Sequence, residues 1–203
     1  MSDISGFFDS LYSRLILRDV FAKILPGTIV SAAVAYATLP PDTFFALLDP
    51  SLFLALGMMG CGWLAAFAIQ GLGEKHKFIK NEPPGLNRQQ LYERMVEFER
   101  KSTSSQQMHA ERLLVIKEAC GNGYLALILA VVLTILLWPL RVVATGAPLL
   151  ATFRASWWPF VPLSILYLAA ASFLRFMHLR HGKHHLKYMD VVIASAQGSP
   201  AHR

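Results

Sequence analysis

The sequence predicts an all-α fold: a polytopic membrane protein with four transmembrane helices, an N-terminal amphipathic helix and a cytoplasmic helical insertion. Three observations predict it. Of 203 residues, 54% are hydrophobic and only 16% charged, whereas a soluble domain averages about 25% charged residues. A chain of 22.6 kDa with a mean hydropathy of +0.42 has too few charges to cover a soluble surface. This excludes disorder, nucleic-acid-binding tails and a typical cytosolic enzyme. Four windows match the roughly 17–25 apolar residues needed to cross a bilayer. No β-strand alternation interrupts them, so a nucleotide-binding or Rossmann domain is excluded.

Residues 1–20 come first. Phe8, Leu11, Tyr12 and Leu15 follow helical spacing over residues 3–18, while Asp9, Ser10, Ser13 and Arg14 face away, which describes an amphipathic helix in the membrane interface. Asp19 and Lys23 stand four apart, the spacing of a helical ion pair at the membrane boundary. Residues 21–72 hold the first two spans, 21–39 and 51–72, each free of charge past Lys23. No cleavable signal is expected, because the first residues are acidic and the first apolar run is long enough to stay.

Residues 73–123 form the cytoplasmic insertion. Pro83-Pro84-Gly85 makes a turn, Asn87 is a candidate N-cap, and Leu91, Met95 and Phe98 recur at helical spacing. The run KSTSS breaks that helix, and Thr103 with Gln106, or Ser104 with Gln107, fits a capping box for a second one. This second helix is expected to end at Gly121-Asn122-Gly123 or to run nearly continuously into span three. Two helices in so short an insertion cannot make an independent core, so they must pack on each other, on another subunit or on a partner. Residues 124–177 hold spans three (124–140) and four (157–177), and residues 178–203 form a basic, His-rich tail whose last nine residues read as disordered.

Of the 19 lysines and arginines, only Arg141 and Arg154 fall in the two connections, residues 40–50 and 141–156. The positive-inside rule therefore places both termini and the insertion in the cytoplasm. The expected location is a bacterial inner membrane, with Trp138, Trp157 and Trp158 as an interfacial belt outside. The net charge of +6 is thus a topology signal, and no direct nucleic-acid partner is expected. Cys61 and Cys120 cannot make a disulfide framework.

Candidate functional residues follow from these positions. Pro26 and Gly27 are candidate hinges, because proline removes a backbone hydrogen bond, and Gly121, Asn122 and Gly123 form a second candidate joint. Gly57, Cys61 and Ala65 in span two, and Gly27, Ser31 and Ala35 in span one, repeat every four residues. Such stripes let helix backbones approach closely, within one bundle or between subunits. Arg88, Arg94, Arg100, Lys101, Arg112, Lys117, Arg180 and Lys183 are candidates for contacting a soluble partner or lipid headgroups. No metal or other cofactor is expected. His178, His181 and His185 share a helical face and would be the ligands of a metal, but Arg180, Lys183 and Lys187 repel a cation there.

The spans carry no ionisable residue at mid-depth, which argues against a proton-coupled pump or transporter. No HExxH, P-loop, GxSxG or carboxylate pair is present, so no enzyme is expected. Three functions remain. The first is an oligomer that couples a cytoplasmic signal to a change in the membrane, such as a pore formed between subunits. The second is an anchor or sensor subunit that recruits a soluble partner. The third is a small-solute transporter.

LILRDVFAKILPG at the N-terminus, the four-span layout with its helical insertion, and ERLLVIKEACGNG before span three resemble the small four-span membrane proteins of bacterial antiphage defence operons. The resemblance implies an effector that oligomerises and perturbs the inner membrane, or a sensor holding a cytosolic subunit. It assigns no individual residue.

Overall fold

A computed structural model of the chain describes residues 20, 22–46, 52–76, 86–146 and 148–198. Among the described residues there is no strand. Six α-helices follow one another: α1 (Leu25–Thr38), α2 (Pro41–Ala46), α3 (Leu52–Lys75), α4 (Arg88–Lys101), α5 (Ser104–Thr145) and α6 (Leu149–Gly198). The expected amphipathic helix over 3–18, the Asp19 partner of Lys23, the Pro83-Pro84-Gly85 turn and the tail 199–203 lie outside the described residues.

Two helices dominate. α5 has 42 residues and α6 has 50, about 63 and 75 Å at 1.5 Å per residue. Ser104–Val143 and Phe160–Ala196 are each long and apolar enough to cross a membrane, and Ala22–Thr38 is a shorter apolar stretch. α1 packs on both α3 and α5, and α5 packs on both α1 and α6. α1 and α5 run parallel: Ala22 meets Asn122 at one end, and Tyr36 meets Arg141 at the other. α3 runs against α1, with Gly27 beside Gly62 and Lys23 over the ring of Phe67. α6 runs against α5, Gly123 facing Leu174 and Ala110 clustering with Met189.

Local signals start α4 and α5. Asn87 and Gln90 form a reciprocal capping box at α4, and Thr103 and Gln106 form another at α5. Each satisfies two of the backbone donors that a helix start leaves open. The break between α4 and α5 is only Ser102 and Thr103, both extended.

Two boundaries differ from the sequence reading, and a third is decided between its alternatives. Gly121-Asn122-Gly123 does not end a helix; α5 runs on into span three with all three residues buried. Gly123 sits where Leu174 of α6 presses in, and the Asn122 amide bonds across to α1, so tertiary packing overrides a poor local helix propensity. Arg141 belongs to α5 instead of a connection, and the helix ends only at Gly146, whose φ of 60° is the left-handed conformation glycine adopts without strain. α6 begins at Leu149 and runs to Gly198, well into the stretch that reads as disordered, because Met189 and Val192 pack against Phe98 and Ala110.

Candidate functional site

Pro26, Gly27, Gly121, Asn122, Gly123 and Lys117 lie close to one level of the molecule, where the apolar bundle meets the polar extension of α5 and α6. It is built from Pro26 outward. Residues 20 and 22–24 are wound as a π-helical turn, and Ile24 is already helical. The change to α-helical register falls at Leu25, one residue before Pro26 in the first turn of α1. A proline has no N–H to give the carbonyl four residues back, which here is that of Ala22. The buried Asn122 Nδ2 of α5 donates to this Ala22 oxygen at 2.6 Å. The two candidate joints of the sequence reading are thus one unit: the proline creates an acceptor and the asparagine fills it.

Gly27 serves close approach. A Cβ there would overlap the Gly62 carbonyl, and a Cβ on Gly62 would meet the Thr28 hydroxyl. Glycine at both positions lets the backbones of α1 and α3 touch. The face of α3 turned to α1 carries Gly62, Ala66, Ile69 and Gly73, all buried. The expected stripe lies elsewhere: Gly57 and Cys61 are exposed and Ala65 is half-buried, with nothing within 4 Å of a Cβ on Gly57. On α1, Ser31 and Ala35 are half-buried.

Below this level, Lys117 departs from the role given to it as a displayed cation. It is 9% exposed, its stem lying over Gly182 with Cε 3.6 Å from where a Cβ would stand. Burial lowers the pKa of its ammonium. The His178 Nδ1 lies 2.9 Å from the Lys117 carbonyl oxygen. His185 is pushed down to about 4 by burial and then by the Lys117 charge, and His181 is lowered by burial, His184 and Arg180. His178 is thus engaged with backbone, and His181 and His185 are held toward their neutral forms. No group of three His, Cys, Asp or Glu side chains converges to hold a metal among the described residues.

Other expected contact residues have partners of their own. Arg94 pairs with Asp190 at 3.0 Å, and Lys101 Nζ donates to Glu97 at 2.6 Å, lowering the pKa of that carboxyl. Arg112 lies 3.8 Å from the Met108 sulfur. Arg100, Arg180 and Lys183 are exposed, and Arg88 opens α4. α4 is thereby clasped to α6 by a salt bridge at the rim and by Phe98, Ala110, Met189 and Val192 within.

At the far end, Arg141 is 7% exposed, donates to the Tyr36 carbonyl at 3.2 Å and lies 5.0 Å from the centroid of the Tyr36 ring. It caps the last turn of α1, where carbonyls lack helical donors and a cation suits the dipole. Sequence reasoning assigned neither this cap nor the Gly62 face. A lone arginine at the end of an apolar run was the available signal for the first.

Comparison of the chain with protein-family models, with curated proteins and with solved structures finds no match.

Proposed function

We propose that this chain is a non-enzymatic protein of the bacterial inner membrane that assembles into homo-oligomers and converts a cytoplasmic signal into a change in the membrane, as a pore-forming effector of antiphage defence would. In this reading α1, α3, α5 and α6 are four spans and both termini are cytoplasmic. The observation that carries it is the continuity of α5 and α6. Each passes without a break from the apolar bundle into the hairpin that α4 clasps. A signal or partner that moves α4 therefore acts on rods that cross the bilayer.

Further support comes from the alternating run of the helices and from the outward face of α3. Gly57 and Cys61 stand exposed there, in the spacing that brings helices together between subunits. Cys61 makes this testable, since Cys120 is the only other cysteine. In a Cys120→Ala background, oxidation in membranes should join two copies through Cys61. A protein that stays monomeric and never cross-links would overturn the assembly. Planar-bilayer recordings should then show conductance on activation; none in any activated state removes the pore.

One observation favours the second reading, an anchor that recruits a soluble protein. Tyr92 and Val96 are 67% and 46% exposed, one turn apart on α4. A stable complex with a cytosolic protein and unchanged membrane permeability would decide for it.

A further inference from the structure

We propose that the cleft between α4, α5 and α6 is a binding site for a small organic cation with an apolar body. The claim of binding stands on the cleft itself, and its role as the activating signal rests on the function proposed above. The cleft has a volume of about 460 Å³, inside the roughly 300–1,000 Å³ range of small-molecule sites. Its floor is Phe98, Ala110 and Met189, each 5% exposed or less. Leu114, Val115 and Met95 form the walls. This interior suits an apolar body.

The polar lining gives the sign of the ligand. Glu99 of α4 and Glu111 of α5 are exposed at the mouth. Gln107 is already committed, donating to the Glu99 backbone carbonyl at 3.2 Å. No lysine or arginine lines the cleft among the described residues. His185 brings no charge at neutral pH, since burial and Lys117 hold it neutral. Two carboxylates above an apolar floor repel anions and attract a cation whose hydrocarbon part can reach the floor.

The site also lies where occupancy has a mechanical consequence. Phe98, Ala110 and Met189 belong to the cluster that clasps α4 to α6. A ligand on that floor touches all three cytoplasmic helices and changes how firmly α4 is held.

The test is isothermal titration calorimetry of the full chain in lipid nanodiscs with benzyltrimethylammonium, using neutral benzamide and anionic phenylacetate as controls. Saturable binding at about millimolar concentration or below is expected for the cation, with weaker binding of benzamide and none of phenylacetate. Glu99→Gln with Glu111→Gln should weaken the cation about tenfold and leave benzamide unchanged. Both side chains are exposed, so folding is not at stake. Leu114→Trp, which fills the cleft, should abolish both. Absence of cation binding, or affinity unaltered in the double variant, overturns the proposal. Binding without any conductance would instead leave the site standing and remove its role as the activating signal.

Discussion

The bundle half and the half clasped by α4 use the same two helices, α5 and α6, and obey opposite packing rules. In the half clasped by α4, apolar groups lie inside, around Phe98 and Met189, and the charged Arg94 and Asp190 lie at the surface. In the bundle half, Ile135, Leu136, Ile165 and Leu166 are 50–66% exposed, while Asn122, Thr134 and Arg141 are buried and bonded to carbonyls. Water supplies the driving force for the first arrangement. In the membrane proposed above it would supply none between the bundle helices, and close contact with satisfied polar groups would hold them together. The boundary between the regimes falls at Lys117–Gly123, where the buried lysine and asparagine sit.

The largest effect should come from breaking a contact of the bundle kind. Gly27→Leu drives a side chain into the Gly62 carbonyl, and neither backbone can yield. We expect a loss of more than about 3 kcal/mol, read as failure to purify as a single folded species, whereas Gly57→Leu, with open space around it, folds normally.

Phe98→Ala breaks the other kind. A buried phenylalanine truncated to alanine costs about 3–5 kcal/mol, and here the loss should be local. Hydrogen exchange should accelerate in α4 while α1 and the adjoining part of α5 keep their protection. Uniform acceleration throughout the chain would show that the two halves fold as one unit.

Asn122→Leu should cost about 1–3 kcal/mol by leaving the Ala22 carbonyl buried and unbonded. Pro26→Ala restores a donor within α1 itself, so the double variant should recover most of the loss in thermal unfolding. Additive losses would show that the proline and the asparagine are not coupled.

The smallest expected effect is a pH dependence confined to the half clasped by α4. His185 titrates near its ordinary 6.5 when unfolded and at about 4 when folded. Between these values the unfolded chain binds more protons, so stability falls as pH drops from about 6.5 to about 4. Solvent reaches part of the ring, which limits the effect to about 2 kcal/mol. Burial of the ring sets it first and the charge of Lys117 on α5 second. His185→Gln should flatten most of the slope in denaturation series; an unchanged slope would assign the titration elsewhere.

What could be read in the sequence divides along the same line. The capping boxes at Asn87 and Thr103 were legible because donor and acceptor lie three residues apart. The amphipathic register of α4 was legible because Phe98 and Leu91 follow the ordinary apolar-inside rule, although Met95 of the same register is exposed. The bundle was legible as apolar helix but not as packing. Gly57-Cys61-Ala65 and Gly62-Ala66-Gly73 are two stripes of small residues on one helix, and only the position of α1 selects the second. The bond from Asn122 to Ala22 spans a hundred residues, beyond any local pattern. Lys117 misled because lysine is mostly exposed, and nothing near it in the chain announces Gly182.

The contact of Gly123 with Leu174 also fixes a fulcrum. Leu174 divides α6 almost evenly, with 25 residues before it and 24 after, about 37 Å to each side. Turning about that point as a rigid rod, α6 would have a mechanical advantage close to one and would invert the direction of travel. A sideways shift of about 5 Å at Gly198 would reappear as about 5 Å the opposite way at Leu149, on the far side of the bundle.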